Sequence, residues 1–192
     1  MRNNTLYVMC GVPGSGKSTF AQGVVQLRRE KREDSNSIIW VSRDEIRYSM
    51  FGGVENVTLD NYYNKENQVK ASFYEIINRA LMAGADVIAD ATHLNAASRK
   101  GLLKRIYTKH GRNIAIVMST PLPTCLERNA TREGVKHVPE EVVRRMWNSF
   151  QMPTTDEGFN EIRVIDKDGR LENIYESEGW YGLVYIGSTF FS

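Results

Sequence analysis

Eight consecutive residues, Gly11-Val12-Pro13-Gly14-Ser15-Gly16-Lys17-Ser18, fit the pattern G-x-x-x-x-G-K-[ST] without a gap. Each fixed position has a physical reason. The glycines let backbone N–H groups close around a phosphate, and a helix opened by Lys17 would aim its positive dipole end at it. The lysine ammonium can reach the outer phosphates of a nucleoside triphosphate, and the Ser18 hydroxyl can take a place on Mg²⁺. The alternative is a glycine-rich turn without a ligand. It is disfavoured because the motif directly follows an apolar run and directly precedes a helical pattern. The segment therefore predicts a nucleoside triphosphate site.

Two further groups could act on such a ligand. After a second apolar run comes Ser42-Arg43-Asp44-Glu45-Ile46-Arg47. Ligands of open α/β sheets sit at the carboxyl ends of the strands, so Asp44 and Arg47 should face the phosphate loop. A carboxylate there can accept the proton of an attacking hydroxyl, and an arginine three residues on shares its helix face. The alternative for Asp44 is a helix N-cap. Arg128 and Arg132, four residues apart and followed by Glu133-Gly134, could fold over a triphosphate and stabilise charge on the transferring group. Their alternative is a solvated basic face partnered by Glu127 and Glu133.

The elements that must carry these groups alternate regularly. Residues 6–10, 38–41, 87–89, 114–118 and 162–165 read as strands, mostly continuous apolar runs of the kind covered on both faces. Helices are predicted over 17–30, about 60–83, 96–109, 121–132 and 139–150. In the longest, Val69, Phe73, Ile76, Ile77, Ala80 and Leu81 would hold the inner face, with Gly84 as the stop. Pro139 opens the last helix, whose inner stripe is Val142, Val143, Met146 and Phe150. The pattern predicts an α/β fold with a doubly wound, mainly parallel five-stranded sheet.

The 192 residues allow one domain of ordinary size, and 41% hydrophobic with 25% charged residues excludes a disordered or fibrous chain. No run approaches a membrane span or a signal-peptide core. Cys10 and Cys125 form neither a disulfide framework nor a zinc pattern, so they read as buried thiols without a disulfide-linked partner. The expected compartment is the cytoplasm. Residues 95–147 carry 11 basic and 4 acidic groups, net +7, whereas 148–192 carry 3 and 8, net −5. A basic middle suggests that phosphate-rich ligands meet it, or else that it forms solvated helix faces.

Taken in order, Gly11–Thr19, Arg43-Asp44-x-x-Arg47, Asp90-x-Thr92, Arg128-Asn129-x-x-Arg132 and Val138-Pro139-x-x-Val142-x-x-x-Met146 resemble the 5′-kinase domain of phage-type polynucleotide kinase, over residues 5 to about 150. The archaeal-type seryl-tRNA kinase family shares the phosphate loop, the Asp-x-Thr region and the lid. The resemblance implies ATP as phosphate donor with Mg²⁺, and a 5′-hydroxyl end of RNA or DNA as acceptor. It implies that Asp44 is the general base and that Arg47 holds an acceptor phosphate, with Arg43, Asp90 and Thr92 also on the acceptor side. Lys17, Arg128 and Arg132 would clamp the donor phosphates beneath a helical lid at about 128–140. A kinase for another hydroxyl is the alternative within the class.

A GTPase is disfavoured because Asn64-Lys65-Glu66-Asn67 lacks the acid of Asn-Lys-x-Asp, and a mechanical ATPase is disfavoured by size. The expected kinase domain is 1–165. Residues 166–192 form a C-terminal extension packed on it, in which Asp166-Lys167-Asp168-Gly169-Arg170 reads as a hairpin turn. The aromatic-rich remainder could extend the sheet, cover the acceptor site or make dimer contacts.

Overall fold

Alternate residues of strand β1 (Thr5–Cys10) divide between two cores: Leu6, Val8 and Cys10 join one, Tyr7 and Met9 the other. Side chains of a strand point to opposite faces with period two, so a strand apolar on both must be covered on both. The computed structural model, which describes residues 4–31, 37–107, 109 and 111–176, shows how. Helix α1 (Lys17–Lys31) covers one face with Ala21, Val24 and Val25. Helices α3 (Glu66–Met82) and α4 (Ala96–Arg105) cover the other with Phe73, Ile77 and Leu102.

The remaining elements are β2 (Ile38–Ser42), α2 (Arg43–Met50), β3 (Asp86–Asp90), β4 (Arg112–Met118), α5 (Leu122–Ala130), α6 (Glu140–Asn148), β5 (Glu161–Ile165) and β6 (Leu171–Glu176). The sheet order is β2-β3-β1-β4-β5-β6. The five predicted strands are all present and run parallel. The sixth, β6, pairs antiparallel with β5. The turn between them closes as the sequence predicts: Asp166 Oδ1 accepts from the backbone N–H of Asp168 (2.8 Å) and of Arg170 (2.7 Å). Thus 171–176 extends the sheet, while Trp180, Tyr181, Tyr185, Phe190 and Phe191 lie outside the described residues. Because β2 lies on one side of β1 and β4 on the other, the crevice where chain direction reverses opens at the end of β1.

Helix boundaries depart from the sequence reading for local reasons. Residues 60–65 are turns rather than helix, because Thr58 and Asn61 satisfy each other: Thr58 N donates to Asn61 Oδ1 (2.9 Å) and Asn61 N to Thr58 Oγ1 (3.3 Å). Such side-chain bonds compete with helical ones. Ile76, expected inside, is exposed, and Asn78 is buried instead. Its amide donates to Tyr74 O (3.0 Å) and to Arg105 O (3.1 Å), tying α3 to the C-terminus of α4, which ends at 105 and not 109. A third cluster lies between the phosphate loop, α5 and α6, where Val12, Cys125 and Val143 pack with Leu94, Val138, Met146 and Trp147. Among the described residues no helix is long and apolar enough to cross a membrane.

Candidate active site

The phosphate loop leaves β1 and packs down onto α5. Gly14 has φ +80, and a Cβ there would lie 2.1 Å from Cys125 O. Only glycine tolerates both the left-handed backbone and that approach. Thr120 Oγ1 donates to Ser15 O (2.8 Å), and Gly11 N donates to Thr92 O (3.0 Å). Lys17 stretches across its own loop, donating to Val12 O (2.9 Å) and Ser15 Oγ (3.5 Å). Burial lowers its pKa, opposed by the carboxylates of Asp90 and Asp44 and reinforced by Arg132. Groups from α2, β3 and the segment after α5 therefore act electrostatically on one ammonium.

Ser18 Oγ donates to Asp90 Oδ2 at 2.7 Å, and the Trp40 indole N–H donates to the same oxygen at 3.0 Å. Burial raises the Asp90 pKa, while Lys17 and these two hydrogen bonds pull it back. The sequence expectation assigns Asp90 and Thr92 to the acceptor. The structure sets Asp90 on Ser18 and the Thr92 carbonyl under Gly11, so both contacts are with the phosphate loop. A hydroxyl beside a carboxylate is a hard-oxygen donor pair of the kind that suits Mg²⁺.

On the other side, Ser42 caps α2, its side chain accepting from Glu45 N (3.3 Å), so Asp44 is free of that duty. Asp44 is 61% exposed, and its Oδ1 accepts from Arg47 Nη1 (2.6 Å) and the Tyr62 hydroxyl (3.2 Å). Arg47 is only 4% exposed. Its Nη1 also donates to the Tyr62 hydroxyl (2.9 Å), its Nη2 to Glu66 Oε2 (2.7 Å), and its guanidinium lies 4.1 Å from the Tyr62 ring centroid. Arg43 pairs with the second oxygen of Glu66, and Lys70 approaches that oxygen at 3.6 Å. The expectation for Arg47 is a bond to an acceptor phosphate. The structure shows a buried guanidinium spanning Asp44, Tyr62 and Glu66, with Nε buried and unpartnered among the described residues.

Helix α5 ends at Ala130, two residues short of the expected 132, so Arg132 leaves the helix in a turn, with its N–H donating to Asn129 O (3.1 Å). The buried Asn129 ties down the loop between α5 and α6 by pairing both backbone groups of Val138, donating to its O (2.6 Å) and accepting from its N (3.1 Å). Arg128 and Arg132 still share one cavity of about 600 Å³, with Gly16, Phe20, Leu27, Met118 and the turn Lys167-Asp168-Gly169. Arg128 Nη2 donates to Lys167 O (3.0 Å), which joins α5 and the hairpin. Arg132 is exposed, and its side chain has no hydrogen-bond or ion-pair partner among the described residues.

Several residues that the sequence reading leaves unremarked hold this arrangement. Glu66 and Tyr62 order the two arginines of α2. Arg99, fully buried, makes a paired contact with Glu157 (2.7 Å for both bonds) and donates to His93 O (3.0 Å) and Gln151 O (2.9 Å). His93 has φ +41, rare for a residue with a side chain. Its ring is 2.8 Å from Met9 O, and burial pulls its pKa down to about 4, so the neutral ring donates from Nδ1. Both cysteines are buried and free, and burial pushes the Cys10 thiol up to about 12.

The family described as an AAA domain matches residues 6–153. A protein of Autographa californica nuclear polyhedrosis virus, assigned as a bifunctional polynucleotide kinase/RNA ligase, is 27% identical over 153 residues, which are 76% of this chain and 20% of that protein. The L-seryl-tRNA(Sec) kinase of Methanococcus maripaludis is 30% identical over 150 residues, 78% of this chain and 54% of that one. The chain thus spans about a fifth and about half the length of these relatives. Among solved structures, Chaetomium thermophilum Kti12 in complex with ADP-AlF3 superposes with a TM-score of 0.63 at 17% identity, over 84% of this chain and 88% of that one. Fold, phosphate loop and family match agree: the chain belongs to the AAA-domain family of P-loop proteins.

Proposed function

We propose that this protein transfers the γ-phosphoryl group of ATP to the 5′-hydroxyl end of RNA or DNA. The observation that carries the reading is Asp44. It is an exposed carboxylate at the end of β2, oriented by Arg47 and Tyr62, and its charge acts on Lys17 across the crevice. In the reaction Asp44 accepts the proton of the acceptor hydroxyl. The hydroxyl oxygen forms a bond to the γ-phosphorus, and the bond from that phosphorus to the bridging oxygen of ADP breaks. Lys17 and the loop N–H groups hold the donor phosphates, and Arg132 balances charge that grows on the transferring group. Arg128, the face of α1 and the Lys167–Gly169 turn offer a cavity beside the loop for the donor nucleoside. Ser18 and Asp90 would hold Mg²⁺, which when bound neutralises phosphate charge. Residues 1–165 form the catalytic unit in this reading, with residues 128–140 as its lid.

The viral relative supports a polynucleotide acceptor, and the archaeal relative supports a second reading, the hydroxyl of seryl-tRNA. One assay separates them. The protein is incubated with γ-labelled ATP and, in turn, 5′-hydroxyl oligonucleotides, seryl-tRNA and nucleosides. Label on the 5′ end of oligonucleotides, with KM falling as length grows and rising with salt, is the expected result. Transfer to seryl-tRNA alone would overturn the proposal in favour of the second reading.

A further inference from the structure

Residues 57–65, which lead into α3, are fastened to α2 and the turn after it at three points. Asn61 donates to Asn56 O (3.0 Å), and Lys65 Nζ donates to Met50 O (2.7 Å) while lying 4.7 Å from the Phe51 ring centroid. Tyr62 is held by the Arg47 guanidinium on its ring and by Asp44 at its hydroxyl. A segment so firmly fixed nonetheless holds two large apolar side chains in water: Leu59 is 74% exposed and Tyr63 is 72% exposed. Tyr63 is not loose. Its ring stands at 74° to that of Tyr62, with centroids 5.0 Å apart, an edge-to-face contact with a ring that is itself immobilised. The series Asp44 carboxylate, Tyr62 hydroxyl, Tyr62 ring, Tyr63 ring is therefore a continuous surface leading away from the base.

We propose that Tyr63 is a stacking platform for the 5′-terminal nucleobase of the acceptor, which makes the acceptor a single-stranded nucleic acid end and not a small-molecule hydroxyl. The inference rests on Asp44 being the proton acceptor for that hydroxyl. A 5′-hydroxyl on Asp44 brings its own sugar along the Tyr62 side, and the base lies one sugar further on. Every base has a π-face, so an aromatic platform binds single strands with little regard to sequence. A rigid tyrosine does so at low entropic cost, because its contact with Tyr62 is already made.

The test uses two 5′-hydroxyl tetranucleotides that differ only in whether the first nucleotide carries a base or is abasic. Wild-type protein, Tyr63→Ala and Tyr63→Trp are compared in steady-state kinetics. The expected result is a KM for the base-bearing strand roughly 5- to 100-fold below that for the abasic strand in the wild type. Tyr63→Ala should remove this difference while leaving KM for ATP and for the abasic strand unchanged, and Tyr63→Trp should keep it. An independent readout is the fluorescence of 2-aminopurine placed at the first position, quenched on binding to wild type and not to Tyr63→Ala. A Tyr63→Ala enzyme that still distinguishes the two strands, or that loses both equally, overturns the platform while the kinase reading stands. If the wild type phosphorylates neither strand, the acceptor reading fails first and the platform with it.

Discussion

Glu66→Gln isolates the charge that orders the acceptor side. The substitution keeps shape but replaces two acceptor oxygens by one, so either Arg47 or Arg43 must face an N–H₂ group. The bond at risk between Arg47 and Glu66 is 2.7 Å long, between side chains only 4% and 16% exposed. A hydrogen bond to a charged group contributes roughly 1.5–3 kcal/mol, and breaking a fully buried pair costs roughly 3–5 kcal/mol. Arg47 keeps Asp44 at 2.6 Å, so it is not abandoned, and the lower range applies. The expected loss is about 2–3 kcal/mol. For a chain of this size that corresponds to a fall in Tm of roughly 4–12 °C. Urea unfolding measures the loss as a shift in midpoint at constant slope. Lys70→Ala is the control: its ammonium is 45% exposed and 3.6 Å from the same carboxylate, so it should change stability by less than about 1 kcal/mol. In transfer assays Glu66→Gln should lower kcat, because Arg47 loses the tie that fixes its own position and can shift together with the Asp44 it still holds, and leave KM for ATP unchanged. A variant with wild-type midpoint and wild-type kcat would refute the reasoning, since the network would then order nothing.

Asp44→Asn keeps the shape of the side chain but cannot accept a proton, so kcat should fall roughly 10²–10⁴-fold with nucleotide binding intact. Weak nucleotide binding with normal kcat would count against it as the base. Arg132→Ala removes an exposed cation with no side-chain partner among the described residues, so stability should move by no more than about 0.5 kcal/mol. Its kcat should fall roughly 10²–10³-fold, and a change confined to KM for ATP would make it a ground-state clamp instead. His93→Asn tests the buried imidazole, since asparagine also tolerates positive φ. The unfolded chain takes up a proton near pH 6.5 and the folded one only near pH 4, so His93 costs stability as pH falls between these values, by about 3 kcal/mol at the end. The gap between wild-type and variant urea midpoints should therefore shift in the variant's favour from pH 7 to pH 4, and a constant gap would rule out a neutral buried ring.

Local chemistry was legible in the residue order wherever one stretch of chain carries a whole device. The phosphate loop is such a stretch: its turn needs glycine at fixed steps, and the strand before it and helix after it follow from apolar periodicity. The five parallel strands, the Asp166 hairpin turn and the capping proline of α6 were read from the chain for the same reason. Helix ends are not legible where side chains compete with the backbone, as Thr58 and Asn61 do before α3.

What only the tertiary structure decided is how charges far apart in sequence are shared. Asp90 could not be assigned to Ser18, 72 residues away, until β1 and β3 lay side by side. Arg47 reads in sequence as an arginine on the helix face of Asp44, turned toward the phosphate loop. Packing α2 against α3 brings Glu66 and Tyr62 onto it and turns it into a buried tie that aims Asp44. Arg99 and Glu157, 58 residues apart, show the same thing at the opposite wall. Periodicity follows from the geometry of one backbone segment and is written in neighbouring residues. The partner of a buried charge is set by which segments desolvate together, and that is a property of the packed sheet and its helices.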